Sequence, residues 1–130
     1  MAGGVVANQI NTDFGVFQNN NAYLGMAKAW VQFVGSSATI NGSFNVSSIT
    51  RSGTGLYTVN FTTAMPNANY AAVISNSSAS GSSQTNSQVF SSSGANVVAP
   101  TTTAFSFSCS VAYTGGFWDP NYACAVVYSS

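Results

Sequence analysis

Phe105-Ser106-Phe107-Ser108-Cys109-Ser110-Val111 decides the fold. Apolar side chains fall on every odd position and serines on every even one. A period of two belongs to a β-strand with one buried and one solvated face. A helix, at 3.6 residues per turn, scatters the same residues around its circumference. The period recurs over 56–63, where Tyr57, Val59 and Phe61 alternate with Thr58, Asn60 and Thr62. Over 27–34 it puts Trp30, Gln32 and Val34 on one face and Ala29, Val31 and Phe33 on the other.

The rest of the chain reads outward from these strands. Residues 43–51, with Phe44, Val46, Ile49 and Thr50, form a further strand. The turn Arg51-Ser52-Gly53-Thr54-Gly55 joins it to 56–63 as a hairpin. The break Ala64-Met65-Pro66-Asn67-Ala68-Asn69 precedes a strand over 70–75. Residues 76–88 are Ser, Asn, Gly, Gln and Thr almost throughout, a composition that reads as an exposed loop. Short strands are expected at 89–90 and 96–99. A Gly- and Pro-containing loop over 114–121 precedes the closing strand 122–128. That strand is apolar on both faces, which places it centrally in its sheet. Six to eight short strands imply an all-β fold, an antiparallel β-sandwich or barrel-like knob over 26–130. Trp30, Phe44, Phe61, Ile74, Phe107, Val111 and Val126 are the expected core.

Residues 1–25 form a separate arm rich in Asn, Gln and Gly. Ile10, Phe14 and Phe17 fall at helical spacing, while Gly15 and Asn19-Asn20-Asn21 oppose a helix. The expectation is an extended or partly helical arm. With Leu24, its large apolar residues are the expected attachment points to another subunit or surface.

Charge sets the functional limits. Asp13, Lys28, Arg51 and Asp119 are the only charged side chains, and there is no Glu or His. The charged share is 3%, against about 25% in a typical domain. Two basic residues cannot displace the counterions of a nucleic acid or hold an anionic membrane surface. No run reaches the roughly 20 apolar residues that span a bilayer. Residues 1–11 lack the basic start and apolar centre of a secretory signal. Ser, Thr and Cys nucleophiles lack a His base. No cofactor and no metal site is expected, since two Cys without His are too few ligands for zinc. Cys109 and Cys124 read either as two buried free thiols or as a disulfide between neighbouring strands. A near-neutral surface favours association, so a homo-oligomer is expected.

Three segments carry a family resemblance. They are Ala29-Trp30-Val31-Gln32-Phe33, then Ser43-Phe44-Asn45-Val46-Ser47-Ser48-Ile49-Thr50, and the run from Gly53-Thr54-Gly55-Leu56-Tyr57 through Met65-Pro66-Asn67-Ala68-Asn69-Tyr70. They resemble a module of tailed-bacteriophage structural proteins, found at the C-terminal tip of tail fibres and in small separate virion proteins. The likeness spans roughly 24–75, and the last strand, ending Val126-Val127-Tyr128, is weakly similar to the module's closing strand. The resemblance implies a β-sandwich-like knob, usually trimeric, displayed on the outside of a particle and without catalytic residues.

With about 25 residues ahead of the knob, the expectation is a small stand-alone component. That component is a capsid decoration, or cement, protein. Its arm grips the major capsid protein, and it sits on the virion surface after assembly in the host cytoplasm. The alternative is a tail-fibre tip that binds host surface carbohydrate. Its expected glycan site is the loop carrying Phe117, Trp118, Asp119 and Tyr122. An exposed Trp stacks on a sugar face, and a carboxylate accepts hydroxyl hydrogen bonds. A polysaccharide-cutting enzyme needs two carboxylates at a set separation. Asp13 in the arm and Asp119 in a late loop are a poor pair, so no enzymatic activity is expected.

Overall fold

Aromatic bulk is unevenly divided between the strands, and that division sets which faces turn inward. A computed structural model describes residues 9–12, 15–18, 25–78, 85–93, 96–112 and 115–129. Its body is two antiparallel four-stranded sheets packed as a β-sandwich. The first has the order β4 (Thr39–Phe44), β3 (Ala29–Val34), β12 (Ala123–Tyr128), β7 (Ala71–Asn76). The second has the order β5 (Val46–Gly53), β6 (Leu56–Phe61), β11 (Ala104–Val111), β8 (Thr85–Val89). Two short pairs complete the described strands: β1 (Gln9–Thr12) with β2 (Gly15–Gln18), and β9 (Ser91–Ser93) with β10 (Asn96–Val97).

The core lies between the two sheets. Tyr57, Val59 and Phe61 of β6 and Phe105, Phe107 and Cys109 of β11 point inward, as their period predicts. Phe107 sits opposite Tyr57, and Phe105 opposite Val59. Phe33 from the facing sheet meets the Tyr57 ring edge-on at 5.1 Å. Tyr70 closes one end against Phe61 at 5.7 Å. Such pairs contribute about 0.5–1.5 kcal/mol beyond area burial.

This packing reverses part of the expected core. Trp30 and Phe44 are 42% and 55% exposed, on the outer face of the first sheet, and Val126 is half-buried there. The inward residues of β3 are Ala29, Val31 and Phe33, and those of β12 are Ala123, Ala125 and Val127. The reason is volume. Facing sheets sit about 10 Å apart, and the rings of β6 and β11 fill most of that gap. Around Phe33, the opposite sheet therefore supplies mostly smaller side chains, with Ala29, Ala123 and Ala125 among them, since overpacking forces strain. Ile74 and Val111 are half-buried rather than central.

Three boundaries also differ. The strand expected over 43–51 is two strands in different sheets, separated by Asn45 at φ 54°. The polar stretch 76–88 is not all loop. Its last residues enter β8, which hydrogen-bonds to β11 through the backbone and needs no apolar period to do so. In the arm, 9–12 and 15–18 take the extended alternative and not the helical one: Ile10 and Phe17 are register partners of the antiparallel β1–β2 pair. Phe14 and Leu24 lie outside the described residues. The closing strand is central, between β3 and β7.

Candidate functional site

The outward face of the first sheet is apolar across its full width. Phe44 pairs with Trp30, Trp30 with Val126, and Val126 with Val73. These four side chains make one row perpendicular to the strands, and Val73 at its end is 59% exposed. Tyr128 flanks the row, also exposed, and exposed Met26 lies just before β3. On its other flank come Gly42, Gln32, Cys124 and Ser75 in register. The Trp30 indole lies over Gly42, with two ring carbons 3.4 Å from where a Cβ would stand. A groove of about 350 Å³, with Met26, Asn45, Met65 and Pro66 among its walls, shares Phe44 with the row.

The outward face of the second sheet is the opposite in chemistry. Thr50, Thr58 and Ser106 align across three strands, and the Thr58 and Ser106 hydroxyls are 2.9 Å apart. Asn60 Nδ2 donates to Thr50 Oγ1 at 3.0 Å and Ser48 Oγ at 3.1 Å. That face is polar and partly satisfied within itself.

The loop after β11 is fastened to the sandwich. The Trp118 N–H donates to the Cys109 carbonyl and the Val111 N–H to the Gly116 carbonyl. Asp119 then turns inward. Its Oδ1 accepts from the Tyr57 hydroxyl at 2.6 Å, the Gly55 N–H at 2.9 Å and Arg51 Nε at 3.1 Å. Its Oδ2 accepts from Arg51 Nη2 at 2.6 Å. Desolvation pushes the Asp119 carboxyl up, but hydrogen bonds from Arg51, Gly55 and Tyr57 outweigh it and hold the group at about 2. Burial, with the Asp119 contact, raises the Tyr57 hydroxyl well above its usual range.

The residues expected to bind glycan are therefore not one exposed platform. Trp118 is half-buried against the core, and Phe117 is half-buried and bridged to Ser110. Asp119 is bound internally, which corrects its reading as a carboxylate presented to sugar hydroxyls. Tyr122 alone is 55% exposed. Cys109 points into the core, while Cys124 lies on the outward face of the other sheet. Both are free thiols, which settles the open alternative against a disulfide. Burial raises the Cys109 thiol.

Sequence reading missed the apolar row because it assigned Trp30 and Phe44 inward. The available signal was that both β3 and β12 carry apolar residues on both faces. It also missed the Arg51–Asp119 pair, although opposite charges in so uncharged a chain are natural partners.

No protein-family model, curated protein or solved structure matches the chain.

Proposed function

We propose that this chain is a non-enzymatic structural protein of a tailed-bacteriophage particle: a trimeric capsid decoration protein that stabilises the head shell and displays a knob. The observation that carries the reading is the inequality of the two outer faces. One is a ladder of hydroxyls and amides suited to water. The other is a four-strand apolar row suited to contact with protein, and patches of that kind mark interaction sites. The sequence resemblance supplies the particle, and the absence of charge from the binding sheet fits assembly better than a reacting centre. Asp119, the carboxylate of the knob, is committed to Arg51, Tyr57 and Gly55. Buried apolar side chains contribute about 1.5–3 kcal/mol each. Repeated over many sites on a shell, that resists separation of capsid subunits.

The test is location. Gold-labelled antibody against the chain, applied to particles purified from an infected culture, is expected to decorate the head. Label confined to the tail tip, with adsorption of the purified chain to host cells, would transfer the protein to the fibre-tip reading. Absence from particles would overturn both.

A further inference from the structure

We propose that the β1–β2 hairpin folds back on its own sandwich, with its Asp13-Phe14 tip seated in the groove beside Phe44 and Asp13 paired with Lys28. This docking does not depend on the particle reading above.

The groove sets the chemistry of its occupant. Its walls include Met26, Phe44, Met65 and Pro66, and among the described residues that line it Lys28 carries the charge. Lys28 is half-buried there, beside exposed Met26 and Phe44. Apolar walls next to one cation call for an apolar side chain next to a carboxylate. Methionine walls adapt to the shape of a ring, because the thioether chain is flexible and polarizable. At about 350 Å³ the groove is at the small end of pockets that hold ligands, so it takes a tip and not a long segment.

The charge count names the carboxylate. The chain has two acidic side chains, Asp13 and Asp119. Asp119 is held by Arg51 and the Tyr57 hydroxyl. Asp13 is the other, and Phe14 follows it directly. Both lie outside the described residues, between Thr12 and Gly15, which are register partners of the hairpin.

Connectivity names the copy. β1 and β2 form a sheet of their own, apart from the two sheets of the sandwich. An isolated two-stranded hairpin is marginal in water and needs a surface to pack on. The arm enters the sandwich through Met26, itself a wall of the groove. β2 runs about 13 Å away from the tip. The stretch from Gln18 to Lys28 reaches up to about 33 Å, enough to turn back and bring the tip to Lys28. A tether of that length keeps the tip at an effective concentration on the order of millimolar, ahead of a second copy in dilute solution.

The experiment treats the full wild-type chain, in dilute solution, with a water-soluble carbodiimide. Lys28 is the only lysine. The reagent activates the Asp13 carboxyl, the Lys28 amine attacks its Cγ, and the departing oxygen leaves in the urea. The product is an amide, and the chain loses the mass of one water. A single-chain product with an Asp13–Lys28 amide in its peptide map is expected, and Asp13→Asn should abolish it. The same amide found only in two-chain products would give the groove to a second copy's arm and overturn the same-chain seat. Lys28 joined elsewhere, or not joined at all, would overturn the docking. Amide hydrogen exchange over 9–18 is the second readout, with circular dichroism to check folding. Lys28→Asp and Asp13→Lys should each speed it by up to about fivefold, the worth of a partly exposed ion pair. The double swap should restore it. Exchange unchanged by either reversal would overturn the pairing.

Discussion

Replacing Asp119 with alanine is expected to destabilise the fold by about 3–5 kcal/mol. The carboxylate is 16% exposed and receives four hydrogen bonds from three residues. Removing it strands the Tyr57 hydroxyl and the Gly55 N–H, and each unsatisfied buried donor costs about 1–3 kcal/mol. The ion pair itself adds at most about 1 kcal/mol, since Arg51 is partly in water. At about 4 °C per kcal/mol for a chain of this size, the midpoint of thermal unfolding should fall by about 12–20 °C.

Acid titration gives an independent reading of the same group. The carboxyl lies at about 2 in the folded chain, against 3.8 when free. A depressed folded value means that the stabilisation is present above pH 4 and is lost as pH falls towards 2. At about 1.36 kcal/mol per unit it amounts to about 2 kcal/mol. The chain has no Glu or His, and its other acidic side chain is Asp13. Stability should therefore be flat from pH 5 to 8 and drop below 4. In Asp119→Asn the acid limb should flatten. Denaturant melts of both variants at pH 7 and pH 3 make the measurement. An Asp119→Ala variant within 0.5 kcal/mol of wild type, or an unchanged acid limb in Asp119→Asn, would refute the reasoning.

Further outcomes follow from single contacts. Gly55 has φ +67°, and a Cβ there would strike the Cys109 carbonyl and lie 2.8 Å from the Trp118 backbone. Gly55→Ala should cost at least about 2–4 kcal/mol, read by chemical denaturation. Phe107 is fully buried, so Phe107→Ala should lose about 3–5 kcal/mol in the same assay. A thiol reagent at neutral pH should leave Cys109 unmodified until the chain unfolds, because only the thiolate reacts and burial raises that thiol. Mass mapping of the labelled cysteine checks it. Asn45 holds a left-handed backbone while Nδ2 donates to the Lys28 and Thr63 carbonyls and Oδ1 accepts from the Thr63 N–H. Asn45→Gly should cost about 1–2 kcal/mol, and Asn45→Ala about 1 kcal/mol more, because alanine also strains the φ. Equal costs would show that the conformation carries no strain.

The alternating strands were legible because a half-buried sheet demands a period of two. Tyr57-Thr58-Val59-Asn60-Phe61 pointed as read, and so did Phe105, Phe107 and Cys109, while Ser108 on the even face is buried as well and Val111 is half-buried. The corner at Asn45 was not legible. Phe44 and Val46 are good strand residues on either side, and what breaks the strand is one asparagine whose side chain makes three hydrogen bonds to two residues, Lys28 and Thr63. The Arg51–Asp119 bond was equally hidden, because it joins positions 68 apart in sequence. The polar β8 escaped because backbone pairing with β11, not side-chain pattern, makes it a strand.

The inverted reading of β3 has a different origin. Periodicity separates two faces but does not say which one meets the core. On β3 both faces qualify: Ala29, Val31 and Phe33 inside, Trp30 and Val34 outside. Hydrophobicity favours the Trp30 face for burial, yet volume sends it out, because the aromatic rings of β6 and β11 already fill the intersheet gap. An interior face and an association face call for the same residue types. The property that tells them apart is the bulk supplied by the facing sheet. Small residues on β12, Ala123 and Ala125, complement the aromatic sheet from within. Across the outer row, the larger Phe44 and Trp30 at the β4 side balance the smaller Val126 and Val73 at the β7 side.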